Sequence, residues 1–184
     1  MKYRQLGKYG IRLSAIGIGS WLTYGMSIND KTALNCIKTA IENGIIFFDT
    51  ADIYNKGEAE LSLGRIFFDE LKITREDVVI ASKCFWPMSQ NPNDQGLSRK
   101  HVFESVHKSL KRLKTDYIDI YQCHRHDPNT PMEEICRSFN DLILQGKLLY
   151  WGVSEWSAEN IDEAAAVCEK YNLHRPVSNQ PQYN

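Results

Sequence analysis

The sequence predicts an α/β fold of parallel strands joined by crossover helices, and three observations carry that expectation. Apolar runs alternate with amphipathic segments of helical period along most of the chain. Polar or glycine-containing turns bound each run. Four of the runs end on a polar residue, Asp49, Lys83, His124 or Ser154, where a parallel sheet would present its carboxyl ends to a ligand.

Taken in order, Tyr3–Leu6 and Gly10–Leu13 flank Gly7-Lys8-Tyr9-Gly10, which reads as a small β-hairpin closing the bottom of the sheet. Six strands follow, at Leu13–Gly17, Ile45–Asp49, Val78–Lys83, Tyr117–His124, Tyr150–Ser154 and Pro176–Gln180, interleaved with five helices. Asn29 or Asp30 caps the first helix and Ser98 caps the one carrying Val102, Phe103, Val106, Leu110 and Leu113 at spacings of three and four. Thr130-Pro131-Met132-Glu133 supplies a hydroxyl cap, a first-turn proline and a carboxylate that reaches back to the cap amide. Ser157 starts the last helix, and Gly44 and Gly146 are stops. No linker, repeat or charge run divides the chain, so residues 1–184 read as a single domain.

Composition narrows the function. With 22 Lys+Arg against 23 Asp+Glu the formal net charge is -1, which provides no field for nucleic acid or an anionic membrane. The five cysteines, Cys36, Cys84, Cys123, Cys136 and Cys168, are scattered and lack a CxxC pair, as expected of reduced thiols in the cytoplasm. Glycines, Ser14 and Arg12 interrupt the apolar stretch before Leu22, so neither a signal peptide nor membrane insertion is expected. Gly17-Ile18-Gly19 is not followed by the third glycine of a dinucleotide loop, since position 22 is Leu. His124-Arg125-His126-Asp127 lacks any further ligand motif, so no metal is expected, and Cys84 and Cys123 should face away from Lys83 and His124 as buried, inert thiols.

The strand-end residues suggest acid chemistry. A buried phenol releases its proton reluctantly; an ammonium beside it should favour the phenolate, and a carboxylate should hold that ammonium in place. Tyr54, Lys83 and Asp49 supply these parts, and His124 can orient a substrate oxygen from whichever ring nitrogen carries its proton. Reduction of a carbonyl fits the set.

Phe48-Asp49-Thr50-Ala51-Asp52-Ile53-Tyr54, followed by Glu60-Leu61-Ser62-Leu63-Gly64, resembles the second-strand signature of the aldo-keto reductases. Gly96-Leu97-Ser98-Arg99-Lys100-His101, the run from Asp127 to Glu134, and Tyr150-Trp151-Gly152 are similar to the branch holding voltage-gated potassium channel β subunits and related bacterial reductases. The resemblance implies a TIM-type (β/α) barrel, here truncated after about six of eight strands. It also implies a catalytic tetrad of Asp49, Tyr54, Lys83 and His124, with Tyr54 protonating an aldehyde or ketone oxygen while NADPH delivers hydride to the carbon. Ser154 and Gln180 are implied partners of the nicotinamide carboxamide, Ser20 and Trp21 line the cofactor, and Trp86 and Trp156 line the substrate pocket. Glu155 departs from the neutral or basic residue the family carries there. The aromatic that stacks on nicotinamide and the loops that grip its phosphates are implied beyond Asn184, so weak or absent NADPH binding is expected, and open barrel edges invite a homo-oligomer. The same resemblance admits a non-catalytic binding or regulatory subunit, similar to potassium channel β subunits, or an inactive truncated remnant. His124 leans toward the enzyme, because channel-type subunits usually hold an amide side chain at that site.

Overall fold

The computed structural model describes residues 1–24 and 28–183. Two strands, β1 (Tyr3–Gln5) and β2 (Arg12–Ser14), form the expected antiparallel hairpin. Five more, β3 (Gly17–Gly19), β4 (Phe47–Asp49), β5 (Val79–Cys84), β6 (Ile118–Cys123) and β7 (Leu148–Val153), form one parallel sheet in chain order. Helices α1 (Asp30–Glu42), α2 (Glu58–Gly64), α3 (Arg99–Leu113), α4 (Met132–Leu144) and α5 (Ala158–Lys170) lie between or after the strands, and α2 runs on into a π-helical turn over Arg65–Glu70. The α/β class is as expected.

Register decides which face each residue takes. Pairing of Asp49 with Ala81, Lys83 with Gln122, and Gln122 with Gly152 puts Phe47, Asp49, Val79, Ala81, Lys83, Ile120 and Gln122 on one face. Leu6, Ile11 and Leu13 of the hairpin pack there against Val79, Ala81 and Ile120, so the hairpin does close that end. The opposite face, with Phe48, Ile80, Tyr121 and Trp151, packs under the helices with Val106, Leu110 and Phe139 as the main core. Cys84 and Cys123 lie on this helix side as buried free thiols, and burial pushes both well up.

Four expectations need correction. The first strand does not run from Leu13 to Gly17, because the Ser14 hydroxyl donates to Ile16 O at 2.7 Å and accepts from the Ile46 and Phe47 amides at 3.2 Å each. That local bonding breaks the ladder, ends β2 and delays β3 to Gly17. Ile45 is taken into the stop of α1, its amide donating to Ala40 O at 3.0 Å, and the Ile46 amide goes to Ser14, so β4 begins only at Phe47. Thr130 does not cap α4; its hydroxyl donates to Asp127 Oδ2 at 2.7 Å, Pro131 takes the cap position, and Glu133 pairs with Arg137. The sixth strand is reduced to an isolated parallel bridge between Val153 and Asn179, although Val177 and Gln180 still donate to Trp151 O and Val153 O at 2.8 and 2.9 Å.

The caps at Asn29, Ser98 and Ser157 form, each side chain accepting the amide three residues on. Gly44 and Gly146 close α1 and α4 with φ of 79° and 68°.

At the end of the sheet away from the polar strand ends, Arg75 joins β5 to β6. Its guanidinium donates to Thr115 Oγ1, Val78 O, Tyr117 O and Asp119 Oδ2 at 2.8, 2.9, 3.1 and 2.5 Å and stacks on the Tyr117 ring. Asp119 in turn accepts the Ile80 amide at 2.9 Å.

Gly64 shows how closely α2 meets α3: a Cβ there would stand 2.6 to 2.8 Å from backbone atoms of Arg112 and Leu113. Backbone cannot swing aside as a side chain can. Gly64→Ala is therefore expected to cost about 1–3 kcal/mol, read as a fall in the urea midpoint.

Candidate active site

The polar strand ends converge on one cavity of about 680 Å³. Asp49 closes β4, Lys83 lies on β5, His124 follows β6 and Ser154 follows β7, so strand alternation aims all four at the same mouth. Tyr54 arrives from the turn Tyr54–Gly57, where Asn55 and Lys56 take left-handed backbone and fold the loop over the sheet end.

Lys83 is the hub. Its ammonium donates to Asp49 Oδ2 at 2.6 Å and Thr50 O at 2.8 Å and reaches the Tyr54 hydroxyl at 3.5 Å. Burial lowers its pKa, and Asp49 acts in the opposite direction. The His124 ring meets Tyr54 edge-on at 5.7 Å and Trp86 at 6.3 Å. Burial, with Lys83 and Arg125 adding to it, pushes His124 down to about 3, so its imidazole is neutral at ordinary pH.

One electrostatic expectation is overturned. The Tyr54 phenol is pushed up to about 12, first by burial and then by the Asp49 carboxylate, with Arg125 pulling down. Lys83 does not lower it, because its charge is largely cancelled by Asp49 at 2.6 Å while the phenol oxygen is 3.5 Å away. The free site therefore holds a protonated phenol.

Ser20, Trp21, Trp86, Ser154 and Gln180 all line the cavity. Ser20 is buried and donates to Thr50 Oγ1 at 2.8 Å, whereas Trp21 is 66% exposed and stands at the rim. The Ser154 hydroxyl donates to Gln180 O at 3.0 Å, which holds the two together on one wall. Trp156 is the exception. At 4% exposed it lies outside the cavity, edge-on to His126 at 5.2 Å, because it sits beyond the last residue of β7 aimed at the mouth and turns into the helix layer.

Sequence reasoning missed Arg125 and the charges beneath Tyr54. Arg125 lines the cavity and donates to His124 O at 2.5 Å and Ser154 Oγ at 3.5 Å. A cation directly after a strand-end residue was the available signal. Under the loop, Glu60 is fully buried between Arg112 Nε at 2.6 Å and Ser82 Oγ at 2.5 Å. Asp52 lies beside it with no well-formed side-chain hydrogen bond, and burial and then Glu60 raise its pKa well above the usual carboxylate range. A carboxyl raised in the fold supports the native state fully below its unfolded pKa and loses that support as pH rises through the folded value. Asp52→Asn should therefore flatten the fall in stability between about pH 4 and 7, as urea titrations at the two pH values would show. An unchanged slope would contradict the assignment.

A family model described as "Aldo/keto reductase family" matches residues 15–184. The chain belongs to the aldo/keto reductase family. Among curated relatives, a probable voltage-gated potassium channel subunit beta of Oryza sativa subsp. japonica is 44% identical over 184 residues, covering 100% of this chain and 56% of that protein. A putative channel subunit beta of Schizosaccharomyces pombe is 47% identical, covering 99% of this chain and 53% of its own. The chain thus spans little more than half the length of these relatives. A crystal structure of a thermostable aldo-keto reductase in complex with the inhibitor epalrestat superposes with a TM-score of 0.84 at 32% identity, covering 100% of this chain and 63% of the other. That likeness identifies the five parallel strands as part of an aldo/keto reductase barrel. Among the described residues no helix is long and apolar enough to cross a membrane.

Proposed function

We propose that this cavity reduces aldehydes or ketones in the cytoplasm by hydride transfer from NADPH, with Tyr54 as the general acid. The observation that supports this most is the contact chain from Asp49 through Lys83 to a protonated Tyr54 at a cavity mouth. Two buried polar atoms of the same site, Asp49 Oδ1 and His124 Nδ1, have no protein partner among the described residues, as befits groups awaiting a ligand. Ser20, Trp21, Ser154 and Gln180, which line the same cavity, would hold the nicotinamide end of the cofactor, which when bound supplies the hydride.

The chain's own residues do the rest. Tyr54 holds a proton at its hydroxyl oxygen until the carbonyl oxygen gains charge, then passes it across. Lys83, fixed by Asp49 and Thr50 O, gains a stronger contact as the phenolate forms. His124, neutral, presents a ring N–H to the same carbonyl oxygen. Trp86 and Trp21 limit water at the mouth. Within the described lining the only Lys or Arg residues are Lys83 and Arg125, and Lys83 is held by Asp49.

The test is carbonyl-dependent NADPH oxidation measured against pH. Tyr54 lies near 12 and His124 near 3, so the rate of reduction is expected to be level between about pH 6 and 9. A rate that fell through a pKa near neutrality would count against a neutral His124.

The relatives named as channel β subunits favour a second reading, a regulatory subunit. NADPH fluorescence titration combined with the rate assay separates the two: binding without turnover supports regulation, and neither binding nor turnover supports an inactive remnant.

A further inference from the structure

We propose that Arg125 selects carbonyl compounds that also carry a carboxylate, gripping that group while the carbonyl lies at Tyr54. This rests on the reading of the cavity as a carbonyl site, and it follows from an accounting of the charges that line it. The Lys83 ammonium and the Asp49 carboxylate neutralise each other at 2.6 Å. Glu155 accepts the Gln182 amide at 2.5 Å. Among the described residues Arg125 hydrogen-bonds only to neutral groups, His124 O and Ser154 Oγ, both reached from Nη1. Among the described residues no carboxylate lies within ion-pair distance of it, and its Nε and Nη2 edge has no protein acceptor.

That edge has the geometry a carboxylate accepts bidentately. Its position suits a substrate handle. The guanidinium carbon is 5.8 Å from the Trp86 ring centroid, Trp86 is 6.3 Å from His124, and His124 is 5.7 Å from Tyr54, so cation, aromatic and acid form one continuous wall. Arg125 also acts electrostatically on both Tyr54 and His124, which places its charge near the reacting groups. With Lys83 and Arg125 positive and Asp49 and Glu155 negative, the lining has no net charge. Selection must therefore come from direct contact with the guanidinium rather than from a general field.

The test titrates the chain calorimetrically with 4-carboxybenzaldehyde and with its neutral methyl ester, methyl 4-formylbenzoate, and then measures NADPH-dependent turnover of each. The acid is expected to bind about tenfold more tightly than the ester. Added salt should narrow the gap, Arg125→Met should close it, and Arg125→Lys should keep part of it as a point charge. Equal binding in the wild type, a preference indifferent to salt, or one that survives Arg125→Met would overturn the inference. Should Arg125→Met lose its circular-dichroism spectrum, the Arg125→Lys and salt results decide. Binding is read without cofactor, so the two ideas fail separately. A chain that prefers the acid but reduces neither aldehyde refutes the reductase reading and supports this inference, whereas one that reduces both but binds them equally does the reverse.

Discussion

Replacing Tyr54 by Phe is expected to lower NADPH-dependent reduction of 4-nitrobenzaldehyde by about 10² to 10⁴-fold, the range lost with a positioned general acid. The ring stays and only the hydroxyl goes, and among the described residues that hydroxyl's one hydrogen-bond partner is Lys83 at 3.5 Å. The fold should therefore be indifferent to the change. The check is absorbance at 340 nm under saturating NADPH, with the urea midpoint measured on the same sample. Equal rates in the two proteins would remove Tyr54 from the chemistry, and a lowered midpoint would show that the hydroxyl is structural instead.

Lys83→Met is expected to have the largest effect on stability, because it strands the largely buried Asp49 carboxylate without its cation. Breaking a buried ion pair from one side costs about 3–5 kcal/mol, and Asp49, whose side chain keeps 14% of its exposure, should fall at the lower end. The double variant Asp49→Asn with Lys83→Met removes both charges and should recover most of the loss, as a double-mutant cycle by urea unfolding would show. If the single and double variants unfold at the same midpoint, the stranded Asp49 carboxylate is not the source of the loss. Activity separates from stability here: the double variant should fold yet remain slow, since no ammonium faces the phenolate.

What could be read from residues alone was what local rules govern. Ser98, Asn29 and Ser157 cap helices because each needs only the amide three positions on, and Gly44 and Gly146 end helices because each needs only a left-handed backbone. The convergence of Asp49, Lys83, His124 and Ser154 was legible because strand alternation and parallel order suffice to place them. Long-range competition hid the rest. Thr130 had the right neighbours for a cap, but Asp127 also gathers the Leu97 and Asn129 amides and takes its hydroxyl. Ser14 looked like strand and serves two amides of another segment. Trp156 shares its composition with the pocket tryptophans and differs only in the direction it faces. The pKa of Tyr54 depends on which neighbour Lys83 reaches first, a distance no spacing encodes.

Arg75 and its four hydrogen-bonded acceptors sit at the opposite end of β5 and β6 from the residues that line the cavity. Rigidity and reactivity are thereby assigned to different ends of the same strands. Side chains at the rim, Glu155 and Arg125 among them, share no hydrogen bond with that clamp, so exchanging them can alter the preference for one compound over another while the scaffold keeps its anchor.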